Sequence, residues 1–256
     1  LVCLKHKKFI IITILKMKLK LKFYIVICLF SLVGHAQEPL PDNPKIGLVL
    51  SGGGAKGLAH IGVLKVIDSL GVRVDYIGGT SMGSAVGGLY AAGYTGKQLD
   101  SIFRGIDFDV LLGDKVPRPS KTFQERKNSE KYGISLPINN FKIQLQSSIS
   151  RGQNLFNLFT KLTLDVTAIS DFSQLPIPFY CMATDIETGA SVVLDSGNLA
   201  EAISISSTLP TLFHPLERDG ALLMDGGIAN NYPIEYLKTK NLDFIIGVSV
   251  EEDLLT

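Results

Sequence analysis

The sequence predicts an α/β fold with a mainly parallel central sheet flanked by helices. Short apolar runs of strand length, such as Ile46–Leu50 and Phe244–Val250, are predicted to be buried strands near the two ends of one domain. Segments with apolar residues at helical spacing lie between such runs, and strands that alternate with helices are typical of parallel sheets.

The first predicted unit is a strand, a glycine-rich loop and a helix. Ile46–Leu50 is followed by the turn Ser51–Gly57, and Leu58–Leu70 carries apolar residues at helical spacing until Gly71. The order of these three segments is therefore strand, glycine loop, helix.

The second unit repeats this order. A strand is predicted to end at Tyr76–Gly78, a turn to span Gly79–Gly83 and a helix to cover Met82–Ala92. Each glycine inside a helix costs about 1 kcal/mol relative to alanine, so the glycines of this helix predict close packing on the sheet.

The rest of the chain is less regular. Thr95 is predicted to cap a helix that reaches about Gly105, and Phe108–Ser150 is interpreted as an insertion with short alternating segments at Tyr132–Leu136 and Lys142–Leu145. Later predicted elements are a strand at Phe179–Ala183, its hairpin partner Ser191–Leu194, a helix at Asn198–Ser206 and a strand at Ala221–Leu223.

The first 36 residues are interpreted as upstream sequence and a signal peptide that starts at Met17. Residues 18–22 are rich in lysine, residues 23–33 are apolar, and Ala36 closes a small-residue cleavage site before Gln37. The apolar run is too short for a membrane span, which needs about 20 residues. We therefore expect an exported protein, with a linker at 37–44, one domain at 45–250 and a truncated C-terminal end at 251–256.

Charge and cysteine content exclude several classes of function. Residues 1–36 hold seven of the 25 Lys and Arg and none of the 24 Asp and Glu, so the mature chain has a formal charge of −6. An acidic chain without a basic stripe is not expected to bind nucleic acid. Cys181 alone remains after cleavage, which excludes an internal disulfide and a multi-cysteine metal site, and we expect it to pack as an apolar residue.

The run Gly79-Thr80-Ser81-Met82-Gly83 is the strongest chemical signal. It has the G-x-S-x-G pattern of a nucleophile elbow and lies between a predicted strand and a helix, as such an elbow requires. Gly79 and Gly83 leave room for the tight turn that would expose the Ser81 hydroxyl. Ser81 is therefore the candidate nucleophile.

A serine nucleophile needs a base, and histidines are scarce. His60 precedes the elbow on the first helix, His214 lies in a predicted loop, and no histidine follows Asp225, whereas the usual α/β-hydrolase order places the histidine last. Asp225, in the turn Asp225-Gly226-Gly227, is the alternative base, although Asp-Gly turns are also common without a function. From the residues alone, Asp225 and, less favoured, His214 stay open as the base.

The loop between the first strand and helix supplies a third element. Gly52, Gly53 and Gly54 can direct backbone N–H groups at one negative oxygen, so they are candidate oxyanion-hole donors. Lys56 either orients the loop, meets an anionic headgroup or faces solvent. Gly52, Gly54 and Gly57 also fit G-x-G-x-x-G with Asp75 downstream, a weak match to a dinucleotide site that leaves Ser81 and Asp225 unexplained.

Together these motifs resemble the patatin-like phospholipase family. The resemblance covers about Lys45 to Val250 and includes Ser206-Ser207-Thr208-Leu209-Pro210, similar to a segment that precedes the Asp-Gly-Gly turn in that family. It implies a patatin-like α/β/α sandwich and a lipid acyl hydrolase with a Ser81–Asp225 dyad. It also implies that the glycine loop holds the oxyanion and that no metal or other cofactor takes part.

The resemblance extends to substrate and partners. It implies a phospholipid or other acyl lipid as substrate, and a membrane surface as partner. Exported bacterial members resemble proteins with an outer-membrane barrel after the hydrolase domain, so a periplasmic, outer-membrane-associated or released protein is expected. Two alternatives remain: an acyltransferase that uses the same acyl-enzyme, and a catalytically silent lipid-binding domain.

The segment Asn154–Leu164 carries apolar residues at helical spacing, and we expect these residues to face the core. The second interpretation is that they line an acyl-chain groove or contact a bilayer.

Overall fold

The computed structural model describes residues 43–113 and 150–251, together with residues 20, 22, 41, 120, 122–124, 126–127, 138–139 and 142–143. The predicted signal-peptide cleavage site, the alternating segment Tyr132–Leu136 and residues 252–256 lie outside the described residues. Contacts between Cα atoms group Leu1–Asn43 and Pro44–Thr256 into separate units, and the sheet and candidate site lie in the second.

Strands and helices alternate through most of this second unit. In chain order they are β1 (Ile46–Leu50), a 3-10 turn (Gly54–Leu58), α1 (Ala59–Leu70), β2 (Tyr76–Thr80), α2 (Met82–Ala91), α3 (Gly96–Arg104), α4 (Phe108–Leu112), β3 (Ile138–Asn139), β4 (Lys142–Ile143), α5 (Gln153–Leu162), two 3-10 turns (Leu164–Val166 and Phe172–Gln174), β5 (Phe179–Asp185), β6 (Ser191–Leu194), α6 (Leu199–Ser206), β7 (Leu216–Arg218), β8 (Ala221–Asp225), a 3-10 turn (Gly226–Ile228), α7 (Ile234–Lys238) and β9 (Phe244–Val248).

The sheet has the order β7-β8-β5-β2-β1-β9, and β6 also pairs with β5. The strands β9, β1, β2 and β5 are mutually parallel, whereas β6, β7 and β8 pair antiparallel. The predicted α/β class with flanking helices is confirmed, and the sheet is mixed rather than parallel throughout. Short connections explain the antiparallel β5–β6 and β7–β8 pairs, because a parallel pair needs a long crossover. The antiparallel β5–β8 pair joins strands that are distant along the chain.

The pairing of β5 positions the site. β2 pairs with residues 179–182 of β5 and β8 with residues 183–185, while β6 occupies the opposite edge over residues 181–184. β2 and β8 therefore run toward each other along the same edge, with Thr80 beside Met182 and Asp225 beside Ala183. The topology thus brings Asp225 close to Ser81, which directly follows Thr80.

The last strand differs from its prediction. Phe244–Val250 was expected to be a buried strand, but β9 ends at Val248, and Phe244 is 41% exposed. Its only partner in the described sheet is β1, so β9 is an edge strand, and its side chains receive less cover than those of β1.

The helices follow their predicted signals closely. Thr95 caps α3 through a capping box with Gln98, and α2 packs so closely that a Cβ at Gly88 would lie 2.6 Å from Ile203 Cδ1. α1 begins at Ala59 rather than Leu58 because the preceding residues form the 3-10 turn. Cys181 is a free, fully buried thiol, as expected of a packed apolar residue. None of the helices within the described residues is long and apolar enough to cross a membrane.

Candidate active site

Ser81 forms a strained elbow between β2 and α2. Its φ of 53° is unusual for a residue with a side chain, and such strain persists only where the surroundings hold it. A Cβ at Gly79 would lie 2.5 Å from the Gly83 carbonyl oxygen, so backbone packs directly on backbone here. The Ser81 amide donates to Ser206 Oγ at 3.1 Å, which fixes the elbow from α6.

The Ser81 hydroxyl donates to Asp225. The distance between Ser81 Oγ and Asp225 Oδ2 is 2.6 Å, and both residues are buried. The Gly227 amide donates to Asp225 Oδ1 at 2.7 Å. Burial raises the pKa of the Asp225 carboxyl, and the hydrogen bonds from Ser81 and Gly227 oppose that rise. The carboxylate therefore keeps one oxygen for the serine and one for the turn that follows it.

The main chain of Asp225 is also fixed. Its N–H donates to the Thr208 carbonyl at 3.0 Å, and its carbonyl accepts from Thr184 Oγ1 at 2.9 Å. Asp225 is thus held by β5 and by the segment after α6. The segment Ser206–Pro210, which the sequence marked only by resemblance, contacts both members of the pair.

The two histidines that the structure describes lie away from the Ser81 hydroxyl. His214 is exposed and lines a separate cavity of about 230 Å³ that does not include Ser81. His60 is fully buried on α1, and its Nε2 lies 2.8 Å from the Ser51 carbonyl oxygen. Burial lowers the pKa of His60, and the hydrogen bond with Ser51 partly offsets this effect. Of the two bases considered from the sequence, the structure brings Asp225 to Ser81.

Ser51 anchors the start of the glycine loop through three groups. Its N–H donates to the Val248 carbonyl at 3.0 Å, its Oγ accepts from the Val250 amide at 3.0 Å, and its carbonyl meets His60. These contacts tie the loop to β9 and α1. The contacts with Val248 and Val250 had no local signal in the sequence, because these residues lie almost 200 positions further along the chain.

Gly52 has a different role from the one predicted. Its N–H donates to the Asn231 carbonyl at 3.0 Å, so this amide is already engaged and does not serve as an oxyanion donor in this structure. Asn231 Nδ2 also donates to the Gly52 carbonyl and to Glu251. Asn231, which sequence reasoning missed, therefore clamps the glycine loop to the segment that follows Asp225.

Gly53 and Gly54 remain as candidate oxyanion donors. Neither amide has a hydrogen-bond partner among the residues that the structure describes. Gly54 has a φ of 52°, a backbone conformation that favours glycine. A Cβ at Gly52 would lie 3.2 Å from Ser81 Cβ, which shows how closely this loop passes the serine.

Lys56, Gly57 and Gly226 lie next to the candidate catalytic residues in the chain or in the fold. Lys56 is exposed, a Cβ at Gly57 would meet Met82, and one at Gly226 would meet the Met182 main chain.

Asp75, which a dinucleotide site would need, accepts instead from the Ile46 amide at 2.8 Å and forms an ion pair with Arg73. Within the described residues, no group of acidic, cysteine or histidine side chains is arranged to hold a metal ion.

Two cavities meet at Ser81. An apolar cavity of about 350 Å³ lies between α2 and the helices α3, α4 and α5, and a more polar cleft of about 380 Å³ contains Asp225 and Asn231. Ser81, Gly54 and Leu209 line both. In α5, Leu155 and Phe159 are buried, as the core-facing interpretation expected, and the same side chains line the apolar cavity.

A family model and several curated proteins match this chain. A family model described as patatin-like phospholipase matches residues 48–238. Lysophospholipase NTE1 of Pyricularia oryzae is 32% identical over 206 residues, which are 80% of this chain and 12% of that protein. Lysophospholipase NTE1 of Saccharomyces cerevisiae is 33% identical over 208 residues, 80% of this chain and 11% of that protein. This chain therefore spans about an eighth of the length of these curated relatives.

A structural comparison gives a weaker likeness. VipD from Legionella pneumophila aligns with 16% identity and a TM-score of 0.46, covering 75% of this chain and 47% of that chain. The fold of this chain is defined by its own strand order.

Proposed function

Because the chain belongs to the patatin-like phospholipase family, a family of lipid hydrolases, we propose that it hydrolyses carboxylic esters of phospholipids or lysophospholipids through Ser81 and Asp225. The observation that carries this proposal is the 2.6 Å hydrogen bond from Ser81 Oγ to Asp225 Oδ2, placed where an apolar cavity meets a polar cleft. The lysophospholipase names of the relatives support the same substrate class.

The first half-reaction forms an acyl-enzyme. Ser81 Oγ bonds to the ester carbonyl carbon as its proton passes to Asp225 Oδ2, and the carbonyl electron pair moves to oxygen. The Gly53 and Gly54 amides stabilise this oxyanion, and one such donor is worth roughly 3 kcal/mol. The bond from carbon to the alcohol oxygen then breaks, and the Asp225 carboxyl returns its proton to the departing alcohol.

The second half-reaction releases the fatty acid. Asp225 accepts a proton from a water molecule as the water oxygen bonds to the acyl carbon. The new oxyanion uses the same two amides. When it collapses, the bond to Ser81 Oγ breaks and Asp225 returns the proton to that oxygen, which restores the starting enzyme.

Labelling with a fluorophosphonate probe, combined with fatty acid release from lysophosphatidylcholine, tests the proposal. We expect mass spectrometry to place the adduct on Ser81, and Ser81→Ala and Asp225→Asn to lower turnover by roughly 10³-fold or more. Ser69→Ala, which removes an exposed hydroxyl at the end of α1, is the control and should leave turnover unchanged.

Three other outcomes would change the proposal. A folded protein with neither adduct nor turnover would indicate a silent lipid-binding domain. Transfer of the acyl group to an added lysolipid in preference to water would indicate an acyltransferase. Labelling that survives Asp225→Asn at its normal rate would remove Asp225 as the base.

We propose further that the protein is exported and acts at a membrane surface. The basic, apolar and small-residue order of residues 17–36 supports export, and the lipid substrate class supports membrane contact. Expression with the natural leader and measurement of the intact mass tests this: a mature chain should begin at Gln37, whereas an uncleaved chain in the cytoplasmic fraction would contradict export.

A further inference from the structure

The apolar cavity runs along one face of α2. Met82 and Ala85 of this helix and Ser81, which precedes it, line the cavity, and the Ala85 amide donates to the Ser81 carbonyl at 3.1 Å. A rise of about 1.5 Å per residue puts Ala85 one helical turn, about 6 Å, beyond the serine. An acyl chain bound to Ser81 and lying in this cavity must therefore pass Ala85 within its first carbons.

Beyond Ala85, no further residue of α2 lines the cavity. One turn further, Leu89 is fully buried in the core and does not line the cavity, and Gly88 packs against Ile203 and Phe179. Across the cavity lie bulky side chains, including Phe103 of α3 and Phe159 of α5. Ala85, which is 2% exposed and carries a single methyl group, is therefore a small residue of α2 in a cavity that these bulky side chains also line.

We propose that Ala85 determines the acyl-chain length that the enzyme accepts. Its methyl group leaves the passage open to long fatty-acyl chains, and a larger side chain would restrict the enzyme to short ones. This inference rests on the proposed hydrolase function. A single methylene in an apolar pocket changes specificity by about 10-fold to 200-fold, so a change from alanine to leucine is large enough to measure.

The test compares kcat/KM for p-nitrophenyl butyrate, decanoate and palmitate in the wild type and in Ala85→Leu. We expect the palmitate to butyrate ratio of kcat/KM to fall by about tenfold or more, because the leucine side chain obstructs a long acyl chain more than a short one. Ala91→Leu is the matched control, because Ala91 is fully buried on the same helix but does not line the cavity. It should lower all three rates alike through reduced stability.

Each result decides the matter. An unchanged palmitate to butyrate ratio in an active Ala85→Leu protein would overturn the role of Ala85. If that variant does not fold, Ala85→Val adds less volume and should give a smaller fall in the same ratio, and an unchanged ratio there would equally overturn the proposal. A wild type that hydrolyses none of the three esters would instead refute the proposed function, and the inference with it.

Discussion

The buried position of Asp225 makes its carboxylate a better base and lowers the stability of the fold. The residue is 3% exposed, and its carboxylate accepts hydrogen bonds from neutral donors, the Ser81 hydroxyl and the Gly227 amide. No cation among the described residues forms an ion pair with it, so burial dominates and the pKa rises. A carboxylate with a raised pKa is a stronger proton acceptor than an ordinary one, which is what activation of a serine requires.

Replacement of Asp225 by asparagine should therefore stabilise the fold. Because the folded-state pKa of Asp225 is raised, the folded protein binds a proton more tightly than the unfolded chain does. Stability is lost as pH rises from the ordinary carboxyl value to the raised one, and the cost persists at neutral pH. Asparagine keeps the shape and carries no charge, so Asp225→Asn should unfold at a higher temperature at pH 7.5, by about 2–4 °C for each kcal/mol gained.

The pH dependence of the melting temperature tests whether the buried charge of Asp225 causes the difference. The difference in melting temperature between wild type and Asp225→Asn should shrink as pH falls through the raised pKa of the wild-type Asp225 carboxyl, because that carboxyl then becomes neutral. Glu187→Gln, which removes an exposed carboxylate, should change stability by less than about 0.5 kcal/mol at either pH. A stabilisation that is independent of pH would show that the buried charge is not its cause.

His60 is expected to position the glycine loop. Its Nε2 is the side-chain partner of the Ser51 carbonyl, and its Nδ1 is buried without a partner among the described residues. His60→Leu should leave the Ser51 carbonyl unsatisfied, let the loop shift and lower kcat by up to about 100-fold, because small misplacements near a reacting centre are costly. KM should change little, since the side chain does not touch the substrate cavities.

His60→Gln separates positioning from packing. Its terminal amide can donate to the Ser51 carbonyl, so we expect it to recover most of the kcat lost in His60→Leu, as measured with the butyrate ester. Equal losses of kcat in both variants, with equal falls in melting temperature, would mean that His60 acts only by filling the core.

The elbow depends on how closely α2 approaches the end of β1. A Cβ at Gly83 would lie 2.5 Å from the Ser51 carbonyl oxygen and 2.7 Å from the Leu50 carbonyl carbon. Both neighbours are backbone atoms, which cannot move aside as a flexible side chain can. Gly83 thus sets the distance between the helix that carries Ser81 and the strand that leads into the glycine loop.

The same substitution should have opposite effects in two neighbouring helices. Gly83→Ala should destabilise the fold by about 1–3 kcal/mol and lower the rate of fluorophosphonate labelling, because the added methyl pushes α2 from β1. Gly62→Ala lies within α1 at an exposed position, with open space around the added atom, and should stabilise by about 0.5–1 kcal/mol. Urea denaturation gives both values, and a neutral effect at Gly83 would show that the contact relaxes freely.

The sequence predicted the elements better than it predicted their contacts. The Gly79–Gly83 elbow and the Thr95 cap were predictable because each is local in the chain. The antiparallel course of β8 and the clamp by Asn231 were not, because they depend on partners far away along the chain. Gly52 illustrates the limit: glycine predicts a loop where amides can be free, but only the fold decides that Asn231 takes this one.

At the scale of the whole molecule, the site joins segments from both ends of the domain. The glycine loop lies after β1, Ser81 after β2 and Asp225 after β8, and 144 residues separate the two members of the dyad. β5 brings them together because β2 and β8 share one of its edges. The apolar cavity lies on the other side of Ser81, between α2 and three further helices, so a ligand there contacts much of the core.

A covalent ligand in this cavity should therefore stabilise the whole domain in proportion to its chain length. Each methylene transferred from water to an apolar site is worth about 0.8 kcal/mol, and the cavity of about 350 Å³ has almost entirely apolar walls. We expect the adduct of Ser81 with a decyl fluorophosphonate to melt several degrees above the adduct with a methyl one, measured by calorimetry on fully labelled protein. Ser81→Ala, which forms no adduct, should show no shift with either reagent, and Ala85→Leu should lose most of the gain from the decyl chain. Equal melting temperatures for the two wild-type adducts would mean that the chain lies outside the cavity, in solvent.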